Sequence, residues 1–236
     1  MLAVWKREVQ SYFHTTIGYH FLGVFWALSS VLFYLYIMQP RSSDLLTFIG
    51  LTGYLWMLLS PILTMRLLAD ERQKRTDQLL LTSPVSVPGI VIGKYMAALT
   101  VMMIAVLGTL IFVAVVAVYG QIYAAELIVG YAGFILEGAA FLAVDLYMSG
   151  LASNSVTAAL LAFGANFVLW LLDLLAGELS VGWVAGSLSF LGIYGRNEPF
   201  FNGQLSFASV IYDLSVAALF IAFAVHRIDS RRYRGA

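Results

Sequence analysis

Apolar positions in this chain gather into six long runs, near residues 17–38, 45–65, 96–118, 127–151, 156–176 and 205–225. Each run approaches the roughly 20 residues that a helix needs to cross a hydrocarbon core. Ahead of the first, residues 1–14 set Leu2, Trp5, Val9, Tyr12 and Phe13 at helical spacing opposite Lys6, Arg7, Glu8 and Gln10. That pattern predicts a helix lying in the membrane interface rather than a disordered basic tail. Short polar breaks separate several runs: Gln39-Pro40-Arg41, Tyr119-Gly120-Gln121 and Ser153-Asn154-Ser155. Two longer interruptions remain, a charged segment from Arg66 to Lys94 and a glycine-rich segment over 177–204. Within the latter, 181–194 is apolar but too short to span, and it predicts a re-entrant or interfacial element before the sixth span. The expected fold is all-α and membrane-integral, one transmembrane domain over 1–236 with six spans.

Composition agrees with this reading. Hydrophobic residues make up 61% of the 236 residues and charged ones 11%, against roughly a quarter charged in a soluble domain. No cysteine is present, which excludes disulfides, thiolate metal sites and a cysteine nucleophile. Lys6 and Arg7 precede an apolar run, but Ile17 to Met38 exceeds the length of a signal-peptide core, so it reads as an uncleaved first span. Thirteen Lys and Arg balance thirteen Asp and Glu, so net charge points to no nucleic-acid partner.

The placement of the basic residues says more. With six spans, one side holds Lys6, Arg7, Arg66, Arg72, Lys74, Arg75, Lys94, Arg227, Arg231, Arg232 and Arg234, and the other only Arg41 and Arg196. Because cytoplasmic loops carry the basic excess, both termini are expected in the cytoplasm. A seventh span would move the arginine-rich C-terminus outside and spoil the asymmetry.

The segment from Arg66 to Lys94 is the most informative. Asp70, Glu71, Arg72, Lys74 and Arg75 are expected to extend the second span into water, with Glu71 and Arg75 at the i,i+4 spacing that supports helix. Thr76 and Asp77 then precede Leu79, Leu80 and Leu81, and Ser83-Pro84 forms a stop. The result is a short helix displaying leucines, which either returns to the bilayer surface or meets a partner.

The order Glu71, Arg72, Thr76, Leu79-Leu80, Thr82-Ser83-Pro84-Val85 and Gly93-Lys94 resembles the membrane subunits of ABC-2 type exporters, most closely their gliding-motility-associated branch. Trp5 to Phe13 is similar to that family's N-terminal interfacial helix, and Ser149-Gly150-Leu151 with Asn154 and Ala158-Ala159 to its break between the fourth and fifth spans. The resemblance implies that the segment after span 2 is a coupling helix docking on a separate ATPase. Glu71, Arg72, Thr76, Asp77, Leu79, Leu80 and Pro84 would be its coupling residues. It further implies two ATPase subunits, a second copy or a related permease completing the path, and a prokaryotic plasma membrane. No cofactor is expected in this chain, with ATP and magnesium held by the partner. The absence of a G-x-x-x-x-G-K-[ST] loop agrees with that expectation and argues against an enzyme.

Acidic groups inside a span are functional candidates by default. Glu137, Phe141 and Asp145 follow i,i+4,i+8 on the fourth span, so the two carboxylates share a face. With Asn166 on the fifth span they are the candidate lining of a translocation path, Asn166 being a candidate partner for Glu137. The family more often carries a small residue where Asp145 stands. The plainer reading is that Glu137 is protonated or bonded to a neighbouring span, and the bulk of Phe141 favours packing. Asp173 and Asp213 are expected at the outer boundary in structural roles. A secondary carrier using Glu137 and Asp145 as proton sites is the alternative function, although the two-half repeat of such carriers is not evident. An intramembrane hydrolase built on Ser149 is disfavoured, because His14, His20 and His226 all fall at or near the inner ends of spans.

Overall fold

A computed structural model describes residues 1–74, 86–178 and 192–232. Those residues are helical apart from short connections. Helix α1 (Leu2–His14) is followed by α2 (Ile17–Phe33), which runs into a π-helical turn at Tyr34–Met38. Then come α3 (Leu45–Thr64), the single-turn α4 (Ala69–Gln73), α5 (Val87–Tyr119), α6 (Ala124–Leu151), α7 (Ser155–Glu178), α8 (Tyr194–Phe201) and α9 (Phe207–Arg232). Six of them are long and apolar enough to cross a membrane, matching the six apolar runs. The second and fourth spans are the most enclosed, and the fifth and sixth leave most of their surface uncovered within the chain.

The interfacial helix forms over the expected residues. It turns Val4 and Tyr12 inward, where the Tyr12 hydroxyl donates to the Leu63 carbonyl at 2.8 Å and the Trp5 indole donates to Thr100 Oγ1 at 2.9 Å. Thr16 takes a left-handed conformation (φ 61°), which turns the chain from α1 into the first span. Gly18 lies against the Tyr12 carbonyl at this corner, where an added Cβ would come within 3.0 Å of that oxygen.

Two boundaries differ from those expected. The third span does not begin near residue 96: α5 starts at Val87, with proline in its first turn, and runs for 33 residues. At 1.5 Å per residue it is about 50 Å long, well beyond a hydrocarbon core of about 30 Å. Its first two turns, including Gly93 and Lys94, therefore belong to a helix that packs on α1 and not to a loop. Gly93 permits that approach, since a Cβ there would lie 3.0 Å from Cβ of Val4.

The second correction concerns span 2. The expected uninterrupted extension into water breaks after Thr64, and turns over 65–68 lead into α4. Pro61 has no amide hydrogen to give, and the Thr64 hydroxyl caps the Ser60 carbonyl at 3.1 Å. Beyond the break Leu67, Leu68 and Ala69 are buried, so burial of apolar side chains redirects the chain.

Aromatic rings lock the centre. Trp56 meets Phe21, Phe25 and Phe134 edge-on at 5.7, 5.6 and 6.2 Å, arrangements that add about 0.5–1.5 kcal/mol each beyond area burial. At the end of the bundle away from α1, α8 inserts Phe200 against Gly133 of α6, and Tyr194 stacks on Tyr54 at 4.4 Å. Of the expected re-entrant segment 177–204, residues 179–191 lie outside the description, and α8 is its described remainder.

Candidate coupling site

At the α1 end, four charged side chains close a ring. Lys94 Nζ lies 2.9 Å from Glu71 Oε1 and 3.1 Å from Glu8 Oε1. Arg7 Nη2 touches the same two oxygens, at 3.1 Å on Glu71 and 2.6 Å on Glu8. Two cations and two carboxylates alternate, so the cluster is neutral. Lys94 is 1% exposed, and a buried ammonium is tolerable only when opposite charges satisfy it. The hydrogen bond to Glu8 is the main cause holding the Arg7 guanidinium's pKa above its ordinary value. The ring ties together α1, α4 and the start of α5.

The other face of α4 is fixed to the junction of α6 and α7. Ser149 Oγ accepts from the amides of Leu68 and Ala69, both at 3.2 Å, and donates to the Met65 carbonyl at 3.3 Å. It thus serves amides that the start of α4 cannot pair within one turn. Arg72 Nη1 donates to the carbonyls of Leu151 and Ala152 at 3.1 and 2.8 Å, closing the end of α6. Ser155 donates to Asp70 Oδ1 at 2.7 Å, while Lys74 pairs with Oδ2 at 3.1 Å. Asn154 Oδ1 caps α7 by accepting from the Thr157 amide at 2.8 Å.

Of the expected coupling residues, Glu71 and Arg72 are thus brought to one short helix and pinned from two sides. Thr76, Asp77, Leu79, Leu80 and Pro84 lie outside the described residues. A cleft of about 600 Å³ opens beside the ring, walled by Tyr12, Arg66, Asp70 and Lys74. The sequence put Asp70, Glu71 and Arg72 in helix but gave neither the separate α4 nor the ring. Its signal was Lys94, a lone lysine in an otherwise apolar helix.

The intramembrane candidates are all buried within one protomer. Asp145 Oδ2 accepts from the Ser60 hydroxyl at 2.6 Å. The Asn166 amide donates to the Met57 carbonyl at 3.3 Å and reaches Ser60 Oγ at 3.5 Å. Asn166 therefore partners span 2 beside Asp145 rather than Glu137, which lies two helical turns away along α6. Neither Glu137 oxygen has a hydrogen-bond partner among the described residues. Its carboxylate faces Gly53, whose carbonyl accepts from the Tyr194 hydroxyl at 3.3 Å.

Asp173 and Asp213 do serve structure, though Asp213 is buried rather than hydrated. Asp173 accepts from the backbone amides of Tyr194 and Gly195 at 2.9 and 3.3 Å, capping α8, and Asp213 accepts from the Asn197 side chain, Nδ2, at 3.2 Å. Among the described residues no group of acidic, histidine or cysteine side chains is arranged to hold a metal ion. The Ser149 hydroxyl is engaged with three backbone groups.

The long interfacial helix, six spans and a pinned segment after span 2 describe a multi-pass membrane subunit. A family model described as ABC-2 family transporter protein matches residues 20–185, well over half of the chain, and the chain belongs to that family. It is a transmembrane component of an ABC transporter. No curated protein matches it closely.

Proposed function

We propose that the chain is half of the translocation path of an ATP-driven exporter, and that the ring of Arg7, Glu8, Glu71 and Lys94 carries the ATPase's motion into the bundle. The observation supporting this is that Glu71, on the helix leading to residues 75–85, bonds simultaneously to α1 and to α5. A displacement of α4 must then move the interfacial helix and the third span together, or break the ion pairs of the ring, those of the buried Lys94 among them. The separate ATPase supplies ATP and magnesium; two such subunits and two permease halves make the whole. The basic excess supports a cytoplasmic position for the ring. Leu79 and Leu80 supply the apolar contact to the ATPase and the flanking charges its register.

Glu137, Asp145 and Asn166 sit between α3 and its neighbours, so they reach a path only when span 2 separates from spans 4 and 5. In this reading they are conditional lining groups. A proton-coupled carrier is the second reading, favoured by the Glu137 carboxylate, which has no hydrogen-bond partner among the described residues.

Purification in mild detergent separates the two. An ATPase subunit accompanies the chain in the exporter reading, and Leu79→Asp with Leu80→Asp abolishes that association while the permease stays folded. Association and ATP turnover untouched by both substitutions would overturn the coupling assignment. Transport driven by a proton gradient without any ATPase would overturn the exporter.

A further inference from the structure

The first span ends in a way its sequence makes costly. The Ser42 amide donates to the Ile37 carbonyl at 2.9 Å and the Arg41 amide to the Met38 carbonyl at 3.3 Å. This pairing closes a helix C-terminus and places its central residue in the left-handed region, where glycine is the usual occupant. Here that residue is Arg41, at φ 54°. The preceding turn, Tyr34–Met38, is π-helical, a widening found often at functional sites. A non-glycine residue held in this conformation carries strain that a useful side chain justifies.

Arg41 borders a cavity of about 340 Å³ between the first and third spans. The cavity is lined by the apolar Phe33, Ile37, Val115 and Val116 and by Ser42 and Ser43; the Ser42 hydroxyl accepts from the Asp44 amide at 3.1 Å, which leaves its proton free to donate. The nearest acid in sequence, Asp44, is turned to its own helix, where it accepts from the Thr47 amide at 3.1 Å and hydroxyl at 2.6 Å. Arg41 forms no ion pair among the described residues. A guanidinium and two hydroxyls over a hydrocarbon-lined slot at the membrane boundary match a phosphate ester carrying an acyl chain.

We propose that this slot binds an anionic glycerophospholipid of the leaflet away from α1, with its phosphate at Arg41 and an acyl chain between the first and third spans. The site is separate from the charged ring and independent of the coupling reading.

Native mass spectrometry of the full chain, titrated with palmitoyl-oleoyl-phosphatidylglycerol or the matching phosphatidylcholine, tests this. Wild type should retain the anionic lipid about fivefold better, the value expected of one basic residue at a membrane surface. Arg41→Gly should erase the preference while leaving the melting temperature equal or higher, because glycine relieves the left-handed backbone. Arg41→Gln, which keeps a side chain, should erase it too. Val115→Trp should weaken retention of both lipids by filling the slot. Equal retention by wild type, a preference surviving in Arg41→Gly and Arg41→Gln, or full competition by soluble glycerol phosphate would each overturn the proposal.

Discussion

Lys94 Nζ and Glu71 Oε1 lie 2.9 Å apart, joining the beginning of the third span to the short helix that follows the second. The lysine is almost completely buried, and its other partner, Glu8, comes from the interfacial helix. Three segments distant in sequence thus share one ion cluster.

Removing one member of such a buried pair leaves uncompensated charge, at a cost of about 3–5 kcal/mol in fully buried cases. Both glutamates retain some exposure, so Lys94→Met should fall toward the lower end of that range. Thermal unfolding in detergent measures it. Adding Glu8→Gln and Glu71→Gln to Lys94→Met should recover most of the loss, whereas purely steric damage would persist.

Ser149→Ala removes the acceptor for two buried amides. Leaving such groups unpaired costs about 1–3 kcal/mol each, and the effect should concentrate at α4. Limited proteolysis should cut faster near Arg66 and Arg72, with the helical content unchanged by circular dichroism. An unchanged cleavage rate would show that Ser149 does not hold this segment.

At the other end, Gly133→Leu should expel Phe200, since even one added carbon collides with that ring. Overpacking of this kind costs about 1–3 kcal/mol. Hydrogen exchange over Tyr194–Phe201 should accelerate in the variant. Asp173→Ala should do the same more mildly, by removing the cap on the first amides of α8.

The absence of cysteine makes topology directly measurable. In intact cells, a membrane-impermeant maleimide should label Gln121→Cys and leave Gln10→Cys untouched until the membrane is opened. The reverse pattern would invert the orientation read from the basic residues.

Much of this architecture was legible because apolar run length and basic asymmetry are local quantities that lipid enforces directly. The six spans and the interfacial helix follow from them. The start of α5 was not legible: residues 87–95 mix proline, glycine and lysine, and they become helical because Val4 and Glu8 pack and pair there. The break after Thr64 was hidden for a similar reason, its amides being satisfied by Ser149 from far along the chain. Glu137 and Asp145 were visible as buried acids, but a helical repeat alone could not tell that Asp145 bonds Ser60 of span 2 while Glu137 has no such partner among the described residues. Ser60, which bonds Asp145, gave no signal as one serine in an apolar run. Asn197 likewise gained meaning only when α8 brought it to Asp213.

The claim that the charged ring transmits motion is most directly tested by a pulsed spin-label distance between two copies carrying Gln10→Cys, in the assembled complex with its ATPase. Addition of ATP should shift that distance in the otherwise wild-type protein. With Lys94→Met the shift should disappear while ATP turnover continues. An identical ATP-driven shift with and without Lys94 would contradict the account.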